Sequence, residues 1–363
     1  MNYTQHWILL KKLGNNMSTF LNQVVSFPYY FALKLRNKYY DNGTFKSFSF
    51  NIPIISVGDV TVGGTGKTPL TELIVKMTCQ EYRIAVLSRG YGRKSKGFII
   101  VSENDSSKKT GDEPLQIKRK FPQIIVAIDK NRKRGIEQLT ALPAETKPQL
   151  IILDDAFQHR RVIPTQSIVL INYNRPIFKD KLIPFGKLRD LPTEIKRAQT
   201  VIITKAPDYL DEWEREKCAK MTMVRNSQLF LFSKIVYKNP LPIFPEIGDN
   251  RYIYSKEVIL FTGIAEDKPI MKHIIGDYTK IIHLKFSDHH NFTKHNIRHI
   301  TTLANNHPLA LILTTEKDAQ RMLCNPYISN SLKVRLFYLP IEVAFLTQEE
   351  ENAFKDKILS SIR

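Results

Sequence analysis

Apolar, β-branched runs recur along the chain with helix-period patterns between them. After the opening run Ile52–Val57 come Arg83–Ser88, Ile124–Asp129, Leu150–Asp155, Ile168–Asn172 and Val201–Lys205. Within each run the apolar residues are continuous rather than alternating, which marks strands buried on both faces and predicts a mostly parallel sheet covered by helices. Near Lys238–Pro245 three prolines, Pro240, Pro242 and Pro245, break the rhythm. A second series follows: Val258–Gly263, Ile281–Leu284, Leu309–Thr314 and Arg335–Leu339. The pattern predicts an α/β chain with a larger domain over residues 41–236, a linker over 237–256 and a smaller α/β domain over 257–363.

Residues 1–40 stand apart. Phe20, Val24, Phe27, Phe31 and Leu35 recur at three- or four-residue steps, interrupted by Pro28, while Tyr29, Tyr30, Lys34, Arg36, Lys38, Tyr39 and Tyr40 supply rings and cations. That composition suits a helix lying in a membrane interface, and equally a helix packed on the globular domain. No run approaches the ~20 apolar residues needed to span a bilayer. No small-residue cleavage site follows an apolar core, which argues against a cleavable signal peptide.

Composition changes this picture only in part. Hydrophobic residues make up 42% of the 363 positions, ample for packed cores, and disorder is not indicated. Cys79, Cys218 and Cys324 are far apart with no C-x-x-C spacing, which argues against a zinc knuckle or a secreted disulfide framework and for a reducing, cytoplasmic setting. Fifty-four Lys and Arg against 35 Asp and Glu give a net charge of +19, suited to a nucleic acid, an anionic membrane or a phosphorylated substrate. The basic residues are scattered and no zinc finger, RNA-recognition motif or basic heptad region accompanies them, so nucleic acid is not the expected partner.

One interval between strand and helix carries specific chemistry. Val62-Gly63-Gly64-Thr65-Gly66-Lys67-Thr68 lies between Ile52–Val57 and the helical pattern Leu70–Val75. Glycines there let backbone N–H groups close on anionic oxygens, and the helix N-terminus favours the charge. Lys67 can reach β/γ oxygens and Thr68 can ligate Mg²⁺. A nucleoside triphosphate is the expected ligand, although the general P-loop pattern asks for Gly where this chain has Thr61. The expected larger domain is therefore P-loop NTPase-like.

Other chemistry-bearing groups fall at predicted strand ends. Leu150–Asp155 closes on two carboxylates, Asp154 and Asp155, the arrangement by which a P-loop enzyme holds Mg²⁺ or a water on it. Ser88-Arg89-Gly90-Tyr91-Gly92-Arg93 offers two guanidiniums on a Gly-hinged loop, Gly111-Asp112-Glu113-Pro114 opens a helix with two acids, and Gln158, His159, Arg160 and Arg161 follow the acidic strand. Phosphoryl transfer needs cations for developing charge and a base for the attacking hydroxyl, so the inventory suits a kinase. In the second part Phe286–Phe292 contains Asp288-His289-His290; His295 and His299 form an i, i+4 pair, but Lys294 and Arg298 flank it and no Cys or acid completes a metal site. A P-loop regulatory NTPase or metallochaperone acting on a protein partner is the alternative, although Val62 stands where such proteins often carry Lys, and Thr204-Lys205-Ala206-Pro207 lacks the Asp of a guanine-reading motif.

Taken together, these stretches resemble the tetraacyldisaccharide 4′-kinase family, the lipid A 4′-kinases, from about residue 24 to the C-terminus. The resemblance rests on Val57–Pro69, Leu87–Gly92, Gly111–Pro114, Asp154–His159, Pro184–Arg189, Asp288–His290 and Thr315–Ala319, in the family's order, and the family's loop looks the same at Thr61. It implies transfer of the ATP γ-phosphate to the 4′-hydroxyl of an acylated glucosamine disaccharide 1-phosphate, giving lipid IVA. The implied place is the cytoplasmic face of the bacterial inner membrane, with a peripheral or monotopic monomer acting there. By matching motifs it implies Asp112 as general base assisted by His289. Thr61, Val62, Gly63, Gly64, Thr65, Gly66, Lys67 and Thr68 would bind the nucleotide, and Thr68, Glu113, Asp154 and Asp155 the Mg²⁺. Arg89, Arg132, Gln158, His159 and Arg189 would attend phosphates or the transition state. A tetraacylated substrate resists leaving the bilayer, at about 0.8 kcal/mol per CH₂ exposed, so under the resemblance residues 20–40 read as a docking element on an anionic surface. Asp59 stands where the family usually has Asn, Asp190 where Glu usually follows the Arg, and Phe185 and Lys187 vary the Gly186 loop. The first 16 residues have no counterpart in the family pattern, leaving Met1 and Met17 both open as starts.

Overall fold

The structure, a computed structural model, describes residues 27–362. Phe20, Val24 and both candidate starts lie outside them. Among the described residues fourteen strands form two sheets: β1 (Ile54–Asp59), β2 (Ile84–Ser88), β3 (Ile99–Ile100), β4 (Ile125–Ile128), β5 (Leu150–Asp154), β6 (Gln166–Asn172), β7 (Thr200–Thr204), β8 (Leu229–Tyr237), β9 (Leu241–Pro242), β10 (Glu257–Thr262), β11 (Lys280–Lys285), β12 (Leu311–Thr315), β13 (Leu336–Leu339) and β14 (Ile341–Phe345). The larger sheet runs β14-β8-β7-β6-β1-β5-β2-β4-β3, parallel except at its two edges, and the smaller runs β11-β10-β12-β13-β9, parallel except for β9. Every residue of β1, β2, β5 and β7 is buried, as continuous apolar runs require of strands covered on both faces.

The helix Lys67–Thr78 covers one face of the large sheet, burying Leu70, Ile74 and Val75 against Ile55 and Val57; on the other face Ile136 and Leu139 meet Ile54, Ala85 and Leu87. β1 lies between β5 and β6, parallel to both, so the turn after β1 and the end of β5 open side by side. In open α/β sheets this edge, outside the carboxyl ends of the strands, is where ligands bind.

Two expected boundaries are corrected. The chain leaves the large sheet after β8, builds the smaller sheet, and returns: β14 pairs antiparallel with β8, and the helix Gln348–Ser360 buries Phe354 and Ile358 in the core that holds Ile55 and Leu70. Residues 341–362 therefore pack with the first part. The reason is energetic, since two fully buried side chains of this size are each worth about 1.5–3 kcal/mol. The segment expected as a linker, 237–256, contributes β9, which pairs with β13. Pro242 is tolerated there because an edge strand leaves one side of its backbone unpaired.

A helix over residues 27–41 packs one side on the large domain. Leu33 and Asn37 are buried on the large domain; the Tyr29 hydroxyl donates to the Arg189 carbonyl at 3.0 Å, Asn37 donates to Asp190 at 3.1 Å, and Arg36 donates to the Gln158 carbonyl. On the remaining surface Phe27, Tyr30, Phe31, Leu35 and Tyr39 are exposed, with Phe27 and Phe31 stacked. No helix among the described residues is long and apolar enough to cross a membrane.

Candidate active site

The turn after β1 takes the shape its glycines allow. Gly63 and Gly66 have φ of 110° and 93°, and Gly66 directly precedes the helix that begins at Lys67. Side chains with a Cβ rarely adopt that backbone, which is why this helix starts on glycine. The turn is braced from outside: Val62 N–H donates to Lys187 O at 2.7 Å, Thr61 bridges Leu188, and the Thr204 hydroxyl donates to Thr65 O at 2.7 Å. The Pro184–Arg189 segment thus supports the loop as well as supplying Arg189. Thr68, in the first helical turn, is half-buried.

Beneath the loop lies a buried ionic cluster. Asp59 accepts from the Thr65 hydroxyl and from Lys67 Nζ, both at 2.5 Å, and from Arg189 at 2.6 Å. Arg189 also pairs with both oxygens of Asp155, and Lys67 lies 3.6 Å from the same carboxylate. Burial would raise the Asp155 carboxyl, but Lys67, Arg189 and Arg132 together hold it well below the usual range. Asp155 has φ of +50°, a strained backbone of the kind stored at functional sites. Its neighbour Asp154 is buried, with Thr71 and Ser88 hydroxyls at 3.5 and 3.3 Å. Burial first, then Glu113 and Asp155, push its carboxyl up to about 7.

This donor set suits a hard cation. Thr68, Glu113, Asp154 and Asp155 offer only oxygen, the ligand type that Mg²⁺ takes. Among the described residues no three His, Cys, Asp or Glu groups converge as a metal cage. Mg²⁺ does not require one, because it is usually held by one or two carboxylates together with waters and phosphate oxygens.

Asp112 and Glu113 open the helix Asp112–Lys120, where the helix dipole favours carboxylates. Gly111 precedes them at φ 93°, and a Cβ there would meet Tyr91 O at 2.9 Å, so only glycine lets the helix begin against the Arg89–Arg93 loop. The smaller domain then reaches across. His289 Nδ1 lies 3.4 Å from Asp112 Oδ2, and the Arg321 guanidinium donates to the same oxygen through two nitrogens at 3.0 and 2.5 Å. Lys317 Nζ donates to Glu113 at 2.9 Å and lies 3.5 Å from His289 Nε2. The Nδ1 side of the ring also meets Arg321, whose Nη2 lies 3.3 Å from it. Burial opposes it, but hydrogen bonds from His289 and Arg321 keep the Asp112 carboxyl below its usual range. His289 itself has φ of +56° and rests on the Tyr91 ring.

Two expected site residues, Arg132 and Gln158, sit differently from their expectation. Arg132 is 2% exposed, its guanidinium donating to the Asp129 and Asp154 carbonyls at 2.5 and 3.0 Å. It supports the turn bearing the two carboxylates rather than presenting its charge to the cleft. Burial lowers its pKa to about 10 even with Asp154 and Asp155 beside it. The Gln158 amide donates to the Asp59 carbonyl at 2.6 Å, again a bracing role. His159 is held neutral, its pKa lowered to about 4 by burial and then by Arg132 and Arg89. Arg89 is exposed on its loop. The sequence reading assigned no role to Lys317, Asp318 or Arg321, although Thr315–Ala319 was among the motifs, nor to Lys205, which pairs with Glu266 of the smaller domain at 3.0 Å beside Gly64.

A sequence model of the family described as tetraacyldisaccharide-1-P 4′-kinase matches residues 18–363. A tetraacyldisaccharide 4′-kinase of Phocaeicola vulgatus is 39% identical over 344 residues, covering 93% of this chain and 94% of its own. The Bacteroides thetaiotaomicron protein of the same description is 37% identical over 353 residues, covering 93% and 92%. Among solved structures, the "apo" form of LpxK from Aquifex aeolicus in complex with ATP aligns with a TM-score of 0.70 and 26% identity, over 95% of this chain and 98% of that one.

Proposed function

The chain belongs to the tetraacyldisaccharide-1-P 4′-kinase family, an ATP-dependent lipid kinase of lipid A biosynthesis, and from this premise we propose how its residues divide the work. The reaction moves the ATP γ-phosphate to the 4′-hydroxyl of tetraacyldisaccharide 1-phosphate. Asp112 takes the proton of that hydroxyl, its oxygen bonds to the γ-phosphorus, the bond from that phosphorus to the β–γ bridging oxygen breaks, and ADP leaves. The observation that carries this reading is the Asp112 carboxylate, ionised at a helix start and held from the other domain by His289 and Arg321.

The backbone of Thr61–Gly66 and Lys67 cradle the β and γ phosphates. Lys67 and Arg189, paired with Asp59 and Asp155, exchange part of that pairing for phosphate oxygens when ATP enters. Thr68, Glu113 and the Asp154–Asp155 pair would hold Mg²⁺, which when bound supplies charge neutralisation across the phosphate oxygens. His159, neutral, and Arg89 face the incoming disaccharide, and Arg132 and Gln158 keep the acidic turn and Asp59 in register for it.

The exposed rings of helix 27–41 enter an anionic membrane from the cytoplasmic side, so that the enzyme binds the bacterial inner membrane peripherally and meets its acylated substrate there. Because this helix packs beside Arg189 and Gln158, membrane contact and phosphate chemistry are fixed relative to one another. The test of the chemistry is ³²P transfer from γ-labelled ATP to the acylated disaccharide 1-phosphate by Asp112→Asn. Turnover should vanish while ATP binding persists, and full turnover would overturn the assignment of the base.

A further inference from the structure

Arg321 lies on the helix Glu316–Leu323 of the smaller domain, 209 residues along the chain from Asp112, yet is the group most closely tied to that carboxylate. Nε and Nη2 both donate to Asp112 Oδ2, at 3.0 and 2.5 Å. The rest of the guanidinium is fixed from behind: Nη1 donates to Asp318 Oδ1 at 2.7 Å and lies 3.4 Å from the Gly263 carbonyl. Asp318 is itself fully buried and immobilised, accepting from Gly263 N–H at 2.8 Å and from the Thr315 hydroxyl at 2.7 Å. The order of support is therefore β10 and the Thr315 turn, then Asp318, then Arg321, then Asp112. Each member is oriented by the one before it.

His289 contributes less constraint to the same oxygen. It makes one contact, at 3.4 Å, from an exposed loop, whereas the Arg321 fork makes two from a helix. A planar fork sets direction as well as distance, which a single imidazole N–H cannot do. With Oδ2 engaged by Arg321 and His289, Oδ1 of Asp112 accepts no hydrogen bond from a side chain among the described residues, which leaves that oxygen as the one to receive a proton.

We propose that Arg321, held by Asp318, is the positioning residue of the kinase reaction: it clamps one oxygen of Asp112 from across the domain boundary and so aims the other at the acceptor hydroxyl. This rests on Asp112 being the base. It does not place Arg321 against either substrate.

Chemical rescue tests it in the full-length enzyme. In Arg321→Gly, kcat should fall about 10²-fold, the scale set by small misplacements of a reacting group, with the KM for ATP and for the lipid near wild type. Added guanidinium should restore a large share of kcat, and should restore nothing when Asp112 is also Asn. Arg321→Gln, which retains shape and leaves Asp318 its bonds to Gly263 and Thr315, serves if the glycine variant folds poorly. It should show the same kcat loss with a wild-type melting temperature, and Arg321→Lys should lie between it and wild type. A raised KM with unchanged kcat would make Arg321 a substrate-binding group and overturn the proposal. So would absence of rescue in a folded variant, which would leave a structural role alone. If Asp112→Asn by itself keeps full turnover, the base assignment fails instead, whatever Arg321 does.

Discussion

Arg132 offers the sharpest test of how this site is built, because the sequence and the structure assign it different work. Replacing it with Met removes the donors to the Asp129 and Asp154 carbonyls in a place that is 2% exposed. Each buried carbonyl left without its partner costs about 1–3 kcal/mol, so the pair costs about 2–6 kcal/mol. A buried cation no longer needs to be desolvated, which returns about 1–4 kcal/mol where a well-packed apolar side chain takes its place. The return should be at the low end, since Asp154 and Asp155 lose the positive charge beside them. The net expectation is a loss of about 2–3 kcal/mol. At about 2–4 °C per kcal/mol for a domain of this size, the melting temperature should drop by roughly 4–12 °C. Calorimetry of the intact chain would measure it, with ATP affinity and turnover recorded below both transitions. Affinity should stay near wild type. An unchanged melting temperature with turnover reduced by two orders of magnitude would refute the reasoning and return Arg132 to a phosphate.

Gly111→Ala forces a Cβ into a backbone region that costs about 1–3 kcal/mol and to within 2.9 Å of Tyr91 O; kcat should drop about 10²-fold with ATP binding intact, and wild-type kcat would show that the helix start is not constrained. Asp154→Asn should lose turnover yet stabilise the Mg²⁺-free protein. Its folded pKa is raised from 3.8 to about 7, so the stability it contributes in acid is lost as pH rises through that window. The advantage of Asn over Asp should therefore grow by about 1.4 kcal/mol per pH unit up to about pH 7 and then level off. Melting curves across pH check this, and a pH-independent difference would contradict it. Changing Phe27, Phe31 and Leu35 together to Ser should release the protein from anionic vesicles in a flotation assay, each of the three side chains being worth about 1.5–3 kcal/mol when fully buried. Turnover of a deacylated, soluble disaccharide phosphate should be unaffected, and equal loss on both substrates would place the defect in folding.

Most strands that read clearly from sequence are buried on both faces and carry a continuous apolar run, although β11 keeps such a run at the edge of the smaller sheet. Those that did not were β14, β8 and the short pieces β3 and β9. Ile341–Phe345 interrupts its apolar residues with Glu342, as an edge strand allows, and β8, between β14 and β7, is only partly buried at both of its ends. Chain order misled at the C-terminus because nothing local in residues 341–362 says which sheet they will join; that is decided by which core has room for Phe345, Phe354 and Ile358. At the site, residues on the Gly-rich loop and the acidic strand end were legible because the chemistry needs them at fixed spacing. Arg321 was not, since its partner is remote in sequence and an isolated Arg on a helix ordinarily faces solvent. Arg132 and Gln158 were given outward-facing work, whereas their side chains bond to buried backbone carbonyls, because burial is a property of packing that a motif does not encode.

The return of β14 to β8 has a mechanical consequence. The inserted sheet is joined to the rest of the molecule by two neighbouring passages, one leaving after Tyr237 and one arriving at Ile341, and these are stitched together by the Ile341–Tyr237 pairing and by Lys238 N–H donating to Pro340 O at 2.9 Å. A lone tether would let the insert swivel freely. A bonded two-strand ribbon resists twisting and sliding and leaves bending about one axis as the soft motion. His289 and Arg321 would then approach Asp112 along a single arc, so the search for catalytic alignment is confined to one dimension. Cutting either passage would keep the halves attached through the other while removing that confinement, so a nicked enzyme should stay assembled and still lose its aim.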